Sequence, residues 1–419
     1  MFGQTLKEAR KARGLTQAQL AGDTYSASYI SLLESGRRRP NESIVRDLAV
    51  RLNVSPADLM PGSVGALSSM VELVEIEADA RQAFRAKQVD KCSQLAEDGA
   101  RLAKQESFLG IWWNLSYLRA ENLLEAGAYD ACLTQLTRMR EDPVVNGSSL
   151  LLGRVETMMS TAHLGAGSIA QSLHFAHLAI ADLVHADHND ALARAYMALI
   201  AALQESGQTG EAQKACTLLV ELIDRIESRE IAGKAHWVAG NVAMLSGDVG
   251  EGTEHHERAE EYFSPRENIT LWGQFHKAAA DMRVRSGHPE VAWHHYREAE
   301  KVLSLLGSER EKLELALVEA RLYFAAGSDE QAVPLLRRIA DTNEPTFPTQ
   351  ARGEAEELLA DAAFRAGDQQ GARLACLRAV THFEDAGAHE RAVEQRRRAN
   401  RYGGMPVQPP PNRTSQANN

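Results

Sequence analysis

Glycine stands at Gly127, Gly167, Gly207, Gly247, Gly287, Gly327 and Gly367, every 40 residues without a slip. Glycine weakens a helix by about 1 kcal/mol relative to alanine, so its strict recurrence marks one backbone device used again and again. The residue before each is small: Ala126, Ala166, Ser206, Ser246, Ser286, Ala326 and Ala366. Five residues after each stand Cys132, Ser172, Ala212, Gly252, Ala292, Ala332 and Ala372, again all small. Seven before stand Ala120, Ser160, Ile200, Gly240, Ala280, Ala320 and Ala360, where only Ile200 is bulky. The register extends one unit back: Lys87 replaces the glycine, while Ala80, Ala86 and Cys92 keep the small positions.

The physical reading is a pair of antiparallel helices joined at the glycine, with small residues on both sides letting the helices touch. Such a pair cannot bury its apolar face alone, so neighbours must stack. About eight pairs fit residues 68–387, a capping helix fits 388–402, and the Pro409-Pro410-Pro411 tail from 403 to 419 reads as disordered. The spacing is similar to the tetratricopeptide repeat. It departs in its period of 40 instead of ~34 and in lacking a regular closing proline, which implies longer helices or loops.

That resemblance implies an all-α chain whose repeats form a right-handed α-solenoid, with the first helix of each pair on the concave face. In this register Asn114, Arg154, Arg194, Lys234 and Gln274 point inward, as do Tyr117, Trp237 and Lys277, and Glu121, Asn241, Asp281 and Arg321. Arg154, Arg194 and Lys234, flanked by Asn114 and Gln274, suit a carboxylate or an extended peptide backbone. The same residues equally suit a solvated groove that holds nothing.

The first sixty residues differ in kind. They hold nine of the 46 Lys/Arg and six of the 57 Asp/Glu, a balance of +3, which leaves −14 on the rest. This is a small basic module on an acidic body. Leu6 and Ala9 with Arg10 and Arg13 read as a helix ended by Gly14; Thr16 caps a second and Ser26 a third over Ala27 to Glu34, with Gly36 behind it. Asn41 and Ser55-Pro56 start two more. Residues 61–67 read as a linker.

The segment LKEARKARGLTQAQLA, from Leu6 to Ala21, followed by SASYISLLESGRRRP, resembles the lambda-repressor/Xre-type helix-turn-helix. The resemblance covers about residues 4–60. It implies a five-helix domain that binds double-stranded DNA, with Gln17 at the start of helix two on DNA. Ser26, Ala27 and Ser28 then lie at the first turn of the recognition helix, with Ser31 and Leu32 one turn on. Arg10 and Glu34 occupy a family salt bridge that is better read as structural. Arg37, Arg38 and Arg39 follow in a loop where guanidiniums reach phosphates. The turn AGDTYSA is one residue shorter than the family's and lacks its usual glycine. The small readers offer no bidentate fork to a base, which shifts specificity toward DNA shape and half-site spacing.

Other chemistry finds little support. The start has no apolar signal region and no stretch reaches the ~18 apolar residues of a membrane span, so a cytoplasmic protein is expected, without disulfides. The four cysteines fall at packing positions. His255-His256 and His294-His295 lie on adjacent helices but lack a carboxylate or cysteine at metal-ligand spacing. No phosphate loop or nucleophile elbow occurs, so neither enzyme activity, cofactor nor metal is expected. A helix-turn-helix followed by these repeats resembles the RRNPP peptide-pheromone receptors, quorum-sensing regulators that act as homodimers. The expectation is a transcription regulator whose repeats bind a peptide or other ligand. The alternatives are control by a protein partner or small metabolite, or a tetratricopeptide scaffold with a vestigial DNA-binding domain.

Overall fold

The computed structural model describes residues 2–38, 40–59, 61–344 and 347–403, and every regular element among them is a helix. The chain divides into two compact units, Met1–Gln135 and Leu136–Asn419.

The first unit opens with the five expected helices: α1 (Phe2–Ala12), α2 (Gln17–Ala21), α3 (Ala27–Glu34), α4 (Glu42–Leu52) and α5 (Pro56–Leu59). They enclose Leu6, Leu20, Ile30, Leu33, Leu48, Leu52 and Leu59, all fully buried. Local caps set their starts. Thr16 forms a reciprocal capping box with Gln19, the Ser26 hydroxyl accepts from the Tyr29 amide, and Asn41 accepts from Ile44. Gly3 lets α1 lie directly on the end of α3: a Cβ there would stand 2.4 Å from the Leu33 carbonyl oxygen.

One expectation fails here. Residues 61–67, read as a linker, belong to the continuous helix α6 (Pro61–Arg85). Proline at the first helical position has no amide hydrogen to lose, and two internal glycines cost only about 1 kcal/mol each in a helix of 25 residues. The unit continues with α7 (Val89–Gln105), α8 (Leu109–Glu125) and the start of α9 (Tyr129–Glu141).

The second unit holds the remaining pairs: α11 (Ser149–Gly165) with α12 (Ile169–Leu183), α13 (Asn189–Glu205) with α14 (Thr209–Val220), and α15 (Arg229–Leu245) with α16 (Val249–Tyr262). After them come α17 (Ile269–Arg285) with α18 (Pro289–Leu306), α19 (Glu309–Ala325) with α20 (Asp329–Ala340), and α21 (Thr349–Arg365) with α22 (Gln369–Asp385). The last helix, α23 (His389–Gly403), is where a capping helix was expected; Gly403 ends it, and the tail from 404 lies outside the described residues. A short helix α10 (Pro143–Asn146) and a 3₁₀ turn (Ile223–Arg225) occupy two of the connections, which with first helices of 17 residues accounts for the long period.

Every periodic glycine has φ between +71° and +91°. At Gly167 and Gly207 a Cβ would meet nothing within 4 Å, so the requirement there is the left-handed backbone and not space. The Gly167 amide donates to Leu164 and the Ser168 amide to His163, closing the helix end in the six-to-one pattern that favours glycine. Lys87 takes the same conformation at φ +53°.

The paired small residues meet as expected. The Ser160 and Ser172 hydroxyls lie 3.1 Å apart, the Cys132 thiol donates to the Ala120 carbonyl at 3.3 Å, and a Cβ on Gly240 would reach 2.9 Å from the Gly252 oxygen. All four cysteines are buried and unpaired, with their thiol pKa values raised by burial. No described helix is long and apolar enough to cross a membrane.

Candidate nucleic-acid interface and repeat groove

The first turn of α3 is held outward by a charged frame behind it. Arg10 Nε meets Glu34 Oε1 at 2.5 Å and Nη2 meets Oε2 at 3.0 Å, while Nη1 donates to the Leu15 carbonyl at 2.7 Å. Gln17 Nε2 donates to Glu34 Oε2 at 2.9 Å. Burial alone would raise the Glu34 pKa, but the hydrogen bonds from Arg10 and Gln17 outweigh it and leave the carboxyl below its ordinary range. Thus α1, α2 and α3 are tied at one carboxylate by Arg10, Gln17 and Glu34. Gln17 is half-buried and turned to this frame.

Ser26, Ala27, Ser28, Ser31 and Leu32 are exposed along α3, and Arg37 and Arg38 are exposed behind it; Arg39 lies outside the described residues. The Arg38 guanidinium lies 5.2 Å from the centre of the Tyr29 ring. The turn does carry a glycine: Gly22, at φ +56°, closes α2.

The sequence reading missed Arg51. Its Nη1 donates to the Ala21 carbonyl at 2.5 Å and its Nη2 to Thr24 Oγ1 at 2.6 Å, and its guanidinium lies 5.2 Å from the Tyr25 ring. One side chain on α4 therefore clamps the whole turn between α2 and α3. A Cβ on Gly22 would stand 2.7 Å from that guanidinium nitrogen, so the glycine and the clamp belong together.

The groove candidates scatter into different surroundings. In the first unit Asn114 is exposed and donates to Glu77 at 3.1 Å, and Tyr117 is half-buried against Trp113. In the second unit Arg154 is half-buried and Arg194 exposed. Lys234 pairs with Glu230 at 2.5 Å. Trp237 packs edge-on against Phe263 and Phe275, its Nε1 buried without a hydrogen-bond partner among the described residues. Asn241 Oδ1 meets His256 Nε2 at 3.0 Å, and Gln274 donates to Glu311 at 2.6 Å.

Of the residues expected to point inward, Lys277, Asp281 and Arg321 line a cavity of about 280 Å³ walled by α17, α19 and α21 with Glu205 from the end of α13. A second hollow of about 260 Å³ adjoins it through Arg285, Arg321 and Glu354. At their junction Glu354 accepts from Arg285 at 3.0 Å and Arg391 at 2.7 Å, and pairs with Arg321. Burial opposes ionisation of Glu354, but the three guanidiniums hold its pKa down to about 2.

Four of the histidines pair within their own helix pairs, α15 with α16 and α17 with α18. His236 Nδ1 lies 2.9 Å from His255 Nδ1, and one repeat later His276 Nδ1 lies 2.8 Å from His295 Nδ1. Among the described residues no group of three or more His, Cys, Asp or Glu could hold a metal ion.

These features define a class: a protein with a helix-turn-helix domain followed by stacked tetratricopeptide-like helix pairs. The comparisons agree at that level. Residues 1–60 match the family model described as a helix-turn-helix domain. No protein of curated function matches the chain.

Among solved structures, the chain is similar to a Pyrococcus horikoshii signal-transduction ATPase with a tetratricopeptide repeat sensor, at 13% identity and a TM-score of 0.50. That match covers 87% of this chain and 57% of the other, and it shows a shared fold. It is also similar to Bacillus thuringiensis PlcR, solved with the peptide PapR7 and DNA, at 17% identity over 65% of this chain and 98% of that one, TM-score 0.42. A Rap protein complexed with competence and sporulation factor matches at 12% identity over 79% and 97%, TM-score 0.48.

Proposed function

We propose that this chain is a sequence-specific transcription regulator whose repeats bind a ligand and thereby alter its hold on an operator. The reader is residues 1–60, the sensor 68–387 and the cap 388–402. The observation that carries the proposal is the exposed first turn of α3, set beside exposed Arg37 and Arg38 on a frame locked by Arg10 and Glu34. Ser26, Ala27, Ser28, Ser31 and Leu32 meet base edges and thymine methyls in the major groove, while Gln17, Arg37, Arg38 and Arg39 contact the backbone. Phosphate contact dominates affinity; the small readers leave specificity to DNA shape and to spacing.

Two copies of the chain set that spacing, with half-sites about 34 Å or a multiple apart. A ligand with greater affinity for one arrangement of the repeats shifts the population toward it, and no other effect of binding can do so. The regulator performs no catalysis. The test is selection of bound duplexes from genomic fragments by the purified full chain: enrichment of a common two-fold symmetric site is expected. No sequence enriched above non-specific background would leave the chain a scaffold.

A further inference from the structure

The walls of the 280 Å³ cavity carry more charge than a solvated groove needs, and the way those charges are matched points to the ligand. Every cation on the walls of the joined hollows already has an acid. Lys277 pairs with Glu314, Arg285 and Arg321 share Asp281 and Glu354, and Arg391 spans Glu354 and Glu357. An anion entering here would have to break one of these pairs and leave a carboxylate unmatched at low dielectric.

Glu205 is different. It lines the cavity from the end of α13, and it makes no side-chain hydrogen bond or ion pair among the described residues. The surrounding protein raises its pKa first and the nearby Glu354 charge second, against smaller help from Arg391 and Arg285. A cation brought in from outside can pair with Glu205 without breaking any of the ion pairs on these walls. Met282, Leu317 and Val318 supply an apolar wall alongside it.

We propose that this cavity binds an organic cation, a primary ammonium on a short apolar body, with the ammonium paired to Glu205 and the body against Met282, Leu317 and Val318. The proposal rests on the reading of the repeats as a ligand-binding sensor and replaces the carboxylate expected from Arg154, Arg194 and Lys234. The volume lies near the lower end of the roughly 300–1,000 Å³ typical of ligand sites. The occupant is therefore a small amine or one lysine-bearing residue of a peptide.

The test is calorimetric titration of the full chain, without DNA, against hexylammonium, hexanol, hexanoate and an acetylated, amidated Leu-Lys dipeptide. Hexylammonium or the dipeptide should bind at least tenfold tighter than hexanol, a difference of about 1.4 kcal/mol, and whichever is tighter identifies the source of the amine. Hexanoate should be weakest. Glu205→Gln, a conservative change at an exposed position, should remove the tenfold preference while leaving the circular dichroism unchanged; Ala278→Phe, which fills the cavity, should abolish binding of every probe. Hexanoate binding best, no probe binding, an undiminished preference in Glu205→Gln, or full binding in Ala278→Phe would each overturn the proposal. DNA selection is a separate measurement, so failure here leaves the operator-binding reading standing, and failure there leaves this one.

Discussion

The Gln17 amide donates a 2.9 Å hydrogen bond to the Glu34 carboxylate, so a residue expected on DNA also fastens helix two to helix three. A side chain that makes this bond is preorganised at the edge of the reader, and its remaining amide N–H can donate to a phosphate. The reading surface and its scaffold thus share a carboxylate.

Arg10→Ala should therefore loosen the reader without touching its exposed face. The Glu34 side chain is 4% exposed, and removing its main partner leaves a buried charge, a change that costs about 3 kcal/mol. Gln17→Ala should cost about 1 kcal/mol. Amide hydrogen exchange in α1, α2 and α3 of the full chain measures both. Because the Glu34 pKa is depressed in the fold, its stabilisation is complete above its unfolded value and is lost as pH falls through the lowered one. The wild type and Arg10→Ala should thus converge in acid.

Arg38 is exposed and makes a cation–π contact with Tyr29 that is worth about 0.5–1 kcal/mol at an exposed site. Moving to a phosphate costs no more than that. Arg38→Ala should weaken binding to all duplexes alike and lower the slope of log affinity against log salt by about 0.9. Fluorescence anisotropy across a salt series reads this directly, and an unchanged slope would place the arginine outside the interface.

Gly167→Ala and Lys87→Gly test the repeat device in opposite directions. Gly167 has φ +77° with open space around it, so alanine brings only the left-handed penalty of about 1 kcal/mol. Lys87 already bears that penalty at φ +53°, and glycine there should relieve it by a similar amount. Local exchange of α11 and α12 should rise in the first variant, and that of α7 should fall in the second.

The repeat was legible because it is written in backbone terms: a left-handed residue every 40 positions and small partners at fixed offsets around it. Lys87 was found by register alone. The helix at Pro61 was misread because Gly62 and Gly65 look like breaks, although a long helix absorbs two of them. Arg51 left no signal in spacing, since its role exists only once α4 lies against the turn. In the groove the register placed Lys277 and Arg321 on the cavity but missed their neutralisation. Most such partners lie on the first helix of a neighbouring pair: Asn114 with Glu77, Gln274 with Glu311, Lys277 with Glu314, Arg391 with Glu354 and Arg398 with Asp361 are each 37 residues apart. That offset is one period less three, a turn back along the neighbouring helix, and a search for cationic or amide side chains 37 residues from an acid would have found them.

The histidine pairs make the second unit sensitive to mild acid. Burial is the main cause that lowers His276 to about 4 and His295 to about 2, with the Arg283 charge next for His295. Both stay neutral in the fold, whereas in the unfolded chain they take up protons below about pH 6.5. The unfolded state then binds more protons, so stability is full above about pH 6.5 and falls as pH drops toward the folded values. Between about pH 7 and pH 5 the loss should be about 2 kcal/mol for each histidine. It should be seen as faster exchange in α17 and α18, while the five helices of the reader, which contain no histidine, change little. His276→Phe removes one titrating group and should reduce the loss by about 2 kcal/mol, the share that this ring contributes. An equal loss in wild type and variant would mean that these rings do not control the acid response.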